Sequence, residues 1–106
     1  MEKYRKVLRL IEQRNWEEME DWLHDDFMYI KETALMNREE HVKNLAKEFA
    51  SKRAINQNEL LHEDEDMMAF KHFVVQKNGK KHRVTQIQLY KNGKVWREIS
   101  NAIDTD

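Results

Sequence analysis

The order of helix-start and hairpin signals is the feature of this chain that most restricts its fold. Asn15-Trp16-Glu17-Glu18 and Asn37-Arg38-Glu39-Glu40 each place an Asn at a helix cap with a Glu at the third helical position. Later, Lys-Asn-Gly-Lys occurs twice, at 77–80 and 91–94. Asn-Gly predicts a type I′ hairpin turn, because both central residues of that turn need positive φ. The chain is therefore expected to place helices first and an antiparallel sheet after them.

Hydrophobic periodicity fills in the elements between these signals. Apolar residues at helical spacing predict a first helix over 3–13, a second helix after Asn15 and a third from Asn37 to about Lys52. The run 27–30 is β-prone and predicts a short strand, and 31–36 is expected to be a loop or weak strand. Four further strands are predicted over 55–63, 67–76, 82–90 and 94–103, the last three forming a meander.

Composition limits the class of protein. The 106 residues predict a single domain, 1–106, large enough for one core. There is no cysteine, which excludes disulfides and thiolate metal sites. The 19 basic and 20 acidic residues nearly cancel, so no bulk attraction to nucleic acid or anionic membranes is expected. No apolar run approaches about 18 residues, and the N-terminal stretch is charged, so a soluble cytoplasmic protein is predicted.

The two faces of the predicted sheet differ in chemistry. Strict alternation gives one face a polar row, and three helices can cover only one face. The other face is largely apolar and therefore needs a partner, so a homodimer is predicted. The polar row holds Gln86, Gln88, Trp96, Glu98 and Ser100, and the apolar outer face holds Ile87, Leu89, Val95 and Ile99.

The succession of these motifs resembles a known family. A second helix led by Asn15-Trp16, an Asp25-Asp26-Phe27 junction into a strand, a helix capped by Asn37 and a last strand entered through Asn92-Gly93 are similar to the nuclear transport factor 2-like superfamily. The SnoaL-like branch is most similar, over residues 3–103. The resemblance implies an α+β fold in which three N-terminal helices wrap a curved antiparallel sheet into a cone with a pocket. It also agrees with dimerisation through the outer sheet face.

The superfamily includes ketosteroid isomerase, polyketide cyclase, dehydratase and epoxide hydrolase, as well as non-catalytic transport and assembly domains. The isomerase uses a Tyr of the first helix, an Asp base near the end of the first strand and a second, protonated Asp. The corresponding positions here are Val7, Lys31 and Gln88. Val7 has no donor and Lys31 is not a carboxylate base, so isomerase chemistry of that type is not expected.

Glu98 and His72 are the candidate catalytic residues. Glu98 against Trp96 and apolar walls is expected to have a raised pKa, which suits general acid–base catalysis. His72 could pair with it and shuttle a proton. The alternatives are a Glu98 that is salt-bridged to a helix or lies at a wet rim, and a His72 that is a satisfied core residue.

Other polar residues are candidates for ligand binding. Two amides on one central strand, Gln86 and Gln88, must be hydrogen-bonded to each other, to water or to a ligand. Tyr29 could donate to a ligand oxygen or lie at the rim, and Lys31 is expected to be solvated. Trp96 and Ser100 complete the predicted pocket wall.

No metal or cofactor is predicted. His24-Asp25-Asp26 and the run 62–66 hold ligand-type residues without a recognised metal spacing, and they are expected to be polar turns. The basic run 77–83 is expected to be a charged hairpin tip rather than a nucleic-acid site.

Two functions remain open at this stage. The first is a small-molecule-binding domain with a partly apolar pocket, which as an enzyme would be a cofactor-independent lyase, isomerase or hydrolase using Glu98 and His72. The alternative is a non-catalytic dimeric interaction domain whose cavity is filled by its own side chains. A cystatin-like inhibitor fits poorly, because three helices precede the sheet and no Gln-x-Val-x-Gly loop occurs. The small-molecule-binding domain requires an open cavity of several water volumes, whereas the interaction domain requires a filled interior.

Overall fold

The computed structural model of the chain describes residues 2–32, 34–50, 54–75 and 78–104. Within them lie three helices and six strands. These are α1 (Glu2–Gln13), α2 (Trp16–Trp22), β1 (Leu23–Lys31), β2 (Ala34–Asn37), α3 (Arg38–Ala50), β3 (Ala54–Glu63), β4 (Met67–Val75), β5 (Lys81–Lys91) and β6 (Lys94–Asp104). The predicted ends of the third helix at Lys52 and of the second long strand at Gln76 fall outside the described residues.

All six strands join one open, mixed sheet in the order β2-β1-β6-β5-β4-β3. Strands β3 to β6 pair antiparallel with their sequence neighbours, as predicted. The pairing of β1 alongside β6 is parallel, which the hairpin signals do not reveal because parallel neighbours need a long connection. The predicted α+β class, with three N-terminal helices on a sheet, is confirmed.

The predicted helix caps are confirmed. The Asn15 side chain accepts a hydrogen bond from the Glu18 backbone N–H at 3.2 Å. At the start of α3, Asn37 Oδ1 accepts from the Glu40 N–H at 2.9 Å, while the Glu40 carboxylate accepts from the Asn37 N–H at 3.0 Å. This reciprocal capping box fixes where α3 begins, and α3 carries several residues of the site described below.

The predicted type I′ turn at Asn92-Gly93 is confirmed. Asn92 and Gly93 both have positive φ, 54° and 76°, as that turn requires. In the other hairpin Gly79 has φ of 85°, and the predicted type I′ turn there stays a prediction. The Asn78 side chain accepts the Lys80 N–H at 2.9 Å, which closes an Asx-type turn.

The first strand is longer than predicted. It begins at Leu23, directly after α2, whereas the sequence predicted a strand over 27–30. The segment expected to be a loop or weak strand contains β2, which pairs antiparallel with the end of β1. In the part of the chain that the structure describes, no helix has the length and apolar character needed to cross a bilayer.

The core lies between the helices and the inner face of the sheet. Glu63, at the end of β3, closes one side, because its carboxylate accepts from the backbone N–H groups of Lys3 and Tyr4 at 3.3 and 3.2 Å. One packed cluster of buried apolar side chains is formed by Val7, Leu10, Met19, Trp22, Leu23, Phe27, Tyr29, Val42, Met68, Phe70 and Val95.

A β-bulge in β6 overturns two predicted face assignments. Leu89 is opposite Arg97 and Tyr90 is opposite Val95, so Trp96 is an extra residue in the ladder. Val95 therefore points inward and is 0% exposed, and its predicted place on the outer apolar face is wrong. The predicted place of Trp96 in the pocket wall is also wrong. Its ring instead lies beside the Arg97 guanidinium, 3.9 Å from the ring centroid.

Candidate functional site

Strand register aligns the polar row on the inner face of the sheet. Glu98 is opposite Gln88 on one side and Tyr29 on the other. One step along, Ser100 is opposite Gln86. The predicted common face of Gln86, Gln88, Glu98 and Ser100 is therefore confirmed, and the bulge lies before this stretch.

The Glu98 carboxylate is buried, 4% exposed, and surrounded by donors. Gln88 Nε2 donates to Oε1 at 2.5 Å, and Gln86 Nε2 donates to Oε2 at 3.4 Å. His41 Nε2 lies 3.3 Å from Oε2. The side-chain oxygen of Gln88, Oε1, in turn accepts a hydrogen bond from the Tyr90 hydroxyl at 2.7 Å. The network satisfies a charge that would be costly to bury alone.

The pKa of Glu98 is shifted in the direction opposite to the sequence prediction. Burial raises its pKa, but the hydrogen bond and charge of His41, the bond from Gln88 and the charge of His72 together hold the pKa below its usual value. The expectation of a raised pKa is wrong, because these partners outweigh desolvation. Glu98 is thus ionised at neutral pH, and His41 must present an N–H at Nε2. Burial and the nearby carboxylates of Glu98 and Glu63 raise the pKa of Tyr90, so its hydroxyl remains a donor.

His41 is the site residue that sequence reasoning missed. It lies in the first turns of α3 and is buried, with its ring stacked on Tyr29 at a centroid distance of 4.3 Å. Its Nδ1 is also buried and has no hydrogen-bond partner among the described residues. The available signal was spacing, since His41 precedes Leu45 and Phe49 by four and eight residues and so shares their helix face.

A cavity of about 370 Å³ lies between α3 and the inner face of the sheet. Four predicted site residues, Tyr29, His72, Gln86 and Ser100, line it, whereas Glu98 and Gln88 lie behind that wall. The whole lining is Ile11, Tyr29, Lys31, Ala34, Met36, His41, Asn44, Leu45, Glu48, Phe49, His72, Val74, Val84, Gln86, Ser100 and Ala102. Its size is typical of small-molecule pockets, and its walls combine apolar side chains with a few polar groups.

His72 points into this cavity from β4. The strand alternates buried and half-buried residues, which places Met68, Phe70, His72 and Val74 on the inner face. The His72 ring stacks on Phe70 at a centroid distance of 5.6 Å. Its charge acts on the Glu98 carboxylate, and the His41 imidazole lies within salt-bridge distance of the same carboxylate.

A second cleft, of about 500 Å³, lies between α1 and the Asn92-Gly93 turn. Its walls are mainly charged side chains of the surface, including Lys3, Lys6 and Glu65. It contains none of the predicted site residues, so the smaller cavity is the better candidate. Among the described residues, no group of three His, Asp or Glu side chains is placed to hold a metal ion.

The positions that correspond to the isomerase's catalytic groups serve other purposes here. Val7 is buried in the core, and the Gln88 amide is used between Glu98 and Tyr90. Lys31 is exposed at the cavity edge. None of the three supplies the carboxylate base of that reaction.

Comparison with known proteins bears on the fold alone. No family model and no curated protein matches the sequence. Among solved structures, a ketosteroid isomerase-like protein from Kribbella flavida has a TM-score of 0.81 at 16% identity, covering 97% of this chain and 76% of that one. A SnoaL-like polyketide cyclase-type protein from Mesorhizobium loti has a TM-score of 0.63 at 16% identity, covering 92% and 93%.

A third structure, an NTF2-like protein of unknown function from Cytophaga hutchinsonii, has a TM-score of 0.72 at 11% identity and covers 90% of this chain and 81% of its own. At these sequence identities the similarity supports a shared fold and carries no information about activity. The resemblance seen in the sequence is confirmed at that level. The chain has the fold of these nuclear transport factor 2-like and SnoaL-like structures.

Proposed function

We propose that this chain binds a small, partly apolar molecule in the cavity beneath α3 and transfers a proton to or from it. The observation that carries the proposal is the joint presence of His72, Gln86, Ser100 and Tyr29 in the wall of one cavity of about 370 Å³. Apolar side chains of α3 and the sheet form the rest of the wall. A lyase, isomerase or hydrolase that needs no cofactor is the class of enzyme that such a wall serves.

His72 is the proposed acid–base group. It reaches the cavity, and it interacts electrostatically with the buried Glu98 carboxylate. Glu98 itself does not line the cavity, so its proposed role changes from base to positioning residue. It holds Gln86 and His41 in the wall and supplies a fixed negative charge behind them.

The alternative is a non-catalytic interaction domain whose interior is filled by its own side chains. The bulky inward residues Phe27, Phe70 and Met68 fit that alternative. The volume of the cavity favours the first proposal, since it corresponds to about 12 water molecules at liquid density. The two proposals differ in whether a small molecule can enter.

A cavity-blocking variant tests the proposal directly. Ala102 lines the cavity on β6, and Asn101 is exposed beside it, on the opposite face of the same strand. Fragments found to bind the wild-type chain by ligand-observed NMR should lose binding to Ala102→Phe and keep it with Asn101→Phe. Fragment binding that survives Ala102→Phe, or a library without a single hit, would favour the interaction domain.

We further propose that two copies of the chain associate through the outer face of the sheet. Strand register places Ile30, Ile99, Ile87 and Ala69 in one row across four strands. At one end the row continues to Leu35, which is 65% exposed, and Ile99 within it is 39% exposed. Such a row of apolar side chains is costly to leave in water, and a two-fold pairing would cover it. Leu89 lies on the same face, whereas Val95 does not contribute.

A further inference from the structure

The hydrogen-bond donors at the inner end of the cavity are directed away from it. The Nε2 atoms of Gln86, Gln88 and His41 lie 3.4, 2.5 and 3.3 Å from the two oxygens of Glu98. Each must present an N–H there, because an amide oxygen or a bare ring nitrogen would face a carboxylate. Of the three, Gln86 and His41 line the cavity, so a single buried anion consumes two donors that would otherwise be available to a ligand.

Gln86 is the member of this group that lines the cavity, and it determines the polarity of the inner wall. One N–H of its amide is directed to Glu98, and its carbonyl oxygen is the acceptor that it offers to a ligand. The neighbouring Ser100 hydroxyl both donates and accepts, and so imposes no direction. Behind this wall the ionised Glu98 adds negative potential in a region of low dielectric.

Two further donor side chains, those of Lys31 and Asn44, line the outer part of the cavity. Lys31 is exposed at the end of β1, and Asn44 is half-buried on α3. Because both side chains are accessible to water, either one can bind water or a ligand with little difference in free energy. At the inner end, a ligand group that only accepts hydrogen bonds would leave the Gln86 oxygen unpaired and would face negative potential, which is unfavourable in a buried site.

We infer that the inner end of this cavity selects ligands that place an O–H or N–H group there, such as small phenols, alcohols and amines, over ligands that only accept hydrogen bonds. The inference rests on the proposed small-molecule site and specifies its substrate class. It is opposite in polarity to an oxyanion-binding site, which needs donors aimed at the ligand.

A matched pair of probes tests this polarity. p-Cresol and 4-methylanisole share the same aromatic body, but the methyl group on the ether oxygen removes the donor. Titration of the 106-residue chain followed by NMR should give p-cresol an affinity at least about fivefold higher than that of 4-methylanisole, since an unpaired buried acceptor typically costs 1–3 kcal/mol. Blocking by Ala102→Phe assigns the binding to this cavity.

Two variants should abolish the discrimination. Glu98→Gln replaces an acceptor-only group by one that also donates, so Gln86 can reverse its amide, and Gln86→Met removes the carbonyl altogether. In both, the ratio of affinities should fall to less than about twofold, while Glu59→Gln, an exposed residue paired with Lys71, should keep the wild-type ratio.

The outcomes separate the two proposals. Equal or tighter binding of 4-methylanisole in the cavity overturns the inferred polarity while leaving the site in place. A preference for p-cresol that survives both Glu98→Gln and Gln86→Met also overturns it. Failure of both probes to bind, or binding that Ala102→Phe does not affect, overturns the proposed site and the inference with it.

Discussion

Gln88 Nε2 lies 2.5 Å from Glu98 Oε1 at the centre of the sheet, with the two residues 1% and 4% exposed to solvent. The contact links adjacent strands, since the two residues are opposite each other in the β5–β6 ladder. Through His41 the same carboxylate is connected to α3, and through Gln88 it is connected to Tyr90. Glu98 is therefore both a structural junction and the source of charge behind the cavity wall.

Truncation of this junction should be strongly destabilising. Glu98→Ala removes the acceptor for Gln88 and His41 and leaves buried donors unpaired, so we expect a loss of about 3 kcal/mol in the free energy of unfolding. Urea denaturation followed by circular dichroism measures this. The matched control is Glu59→Ala, whose exposed pair with Lys71 should be worth less than about 1 kcal/mol. Equal losses in the two variants would contradict a special role for Glu98.

The lowered pKa of Glu98 predicts a specific dependence of stability on pH. A carboxyl whose pKa is lower in the folded than in the unfolded state contributes stability above its unfolded value, which is near 4.5. That contribution is lost as the pH falls from there toward the folded value, because the unfolded chain then binds the extra proton. The stability difference between wild type and Glu98→Gln should thus be constant near neutral pH and shrink below about pH 4.5. A difference that grows on acidification would contradict the lowered pKa.

His41 and Glu98 should be energetically coupled. His41→Phe keeps a ring to stack on Tyr29 but removes the N–H directed at Glu98. In a double-mutant cycle with Glu98→Gln, we expect a coupling energy of about 1–3 kcal/mol, measured by urea denaturation of the four proteins. Replacing Glu98→Gln by Glu59→Gln in the cycle should reduce the coupling to within about 0.5 kcal/mol of zero.

Much of the fold was predictable because its signals are local. The Asn15 and Asn37 caps and the Asn92-Gly93 turn depend on a few adjacent residues, and all three form as predicted. Period-two alternation also placed Gln86, Gln88, Glu98 and Ser100 on one face, because the two strands run regularly through this stretch.

What could not be predicted depends on contacts between distant segments. The bulge at Trp96 shifts one residue in a ladder and reverses the face of Val95 without any local marker. The partner of Glu98 comes from α3, 57 positions earlier in the chain, so a hydrogen bond from His41 was not accessible to reasoning about strand faces. The direction of the pKa shift of Glu98 was missed because the hydrogen bond and charge of His41 are the largest effects that lower this pKa.

The capping box at the start of α3 should stabilise the helix turn that carries His41, although Asn37 and Glu40 do not line the cavity. Asn37→Ala removes the acceptor for the Glu40 N–H and should cost about 1 kcal/mol of unfolding free energy. Asn37→Ser, which can still cap, should restore most of that loss. Because α3 carries His41 and other residues of the cavity wall, hydrogen exchange of the first α3 amides should accelerate in Asn37→Ala. Unchanged exchange there would show that packing alone holds the helix start.

Association through the outer face should depend on the exposed isoleucine of β6. Sedimentation of the wild-type chain at micromolar concentration should give twice the 13.0 kDa chain mass, and Ile99→Asp should give the monomer, because a charge buried at the centre of a two-fold interface is unpaired. Leu61→Asp is the matched control, since Leu61 is 50% exposed on β3 and lies outside the row of Ile30, Ile99 and Ile87. It should leave the dimer intact. A wild-type monomer, or equal dissociation by the two substitutions, would contradict an interface centred on Ile99.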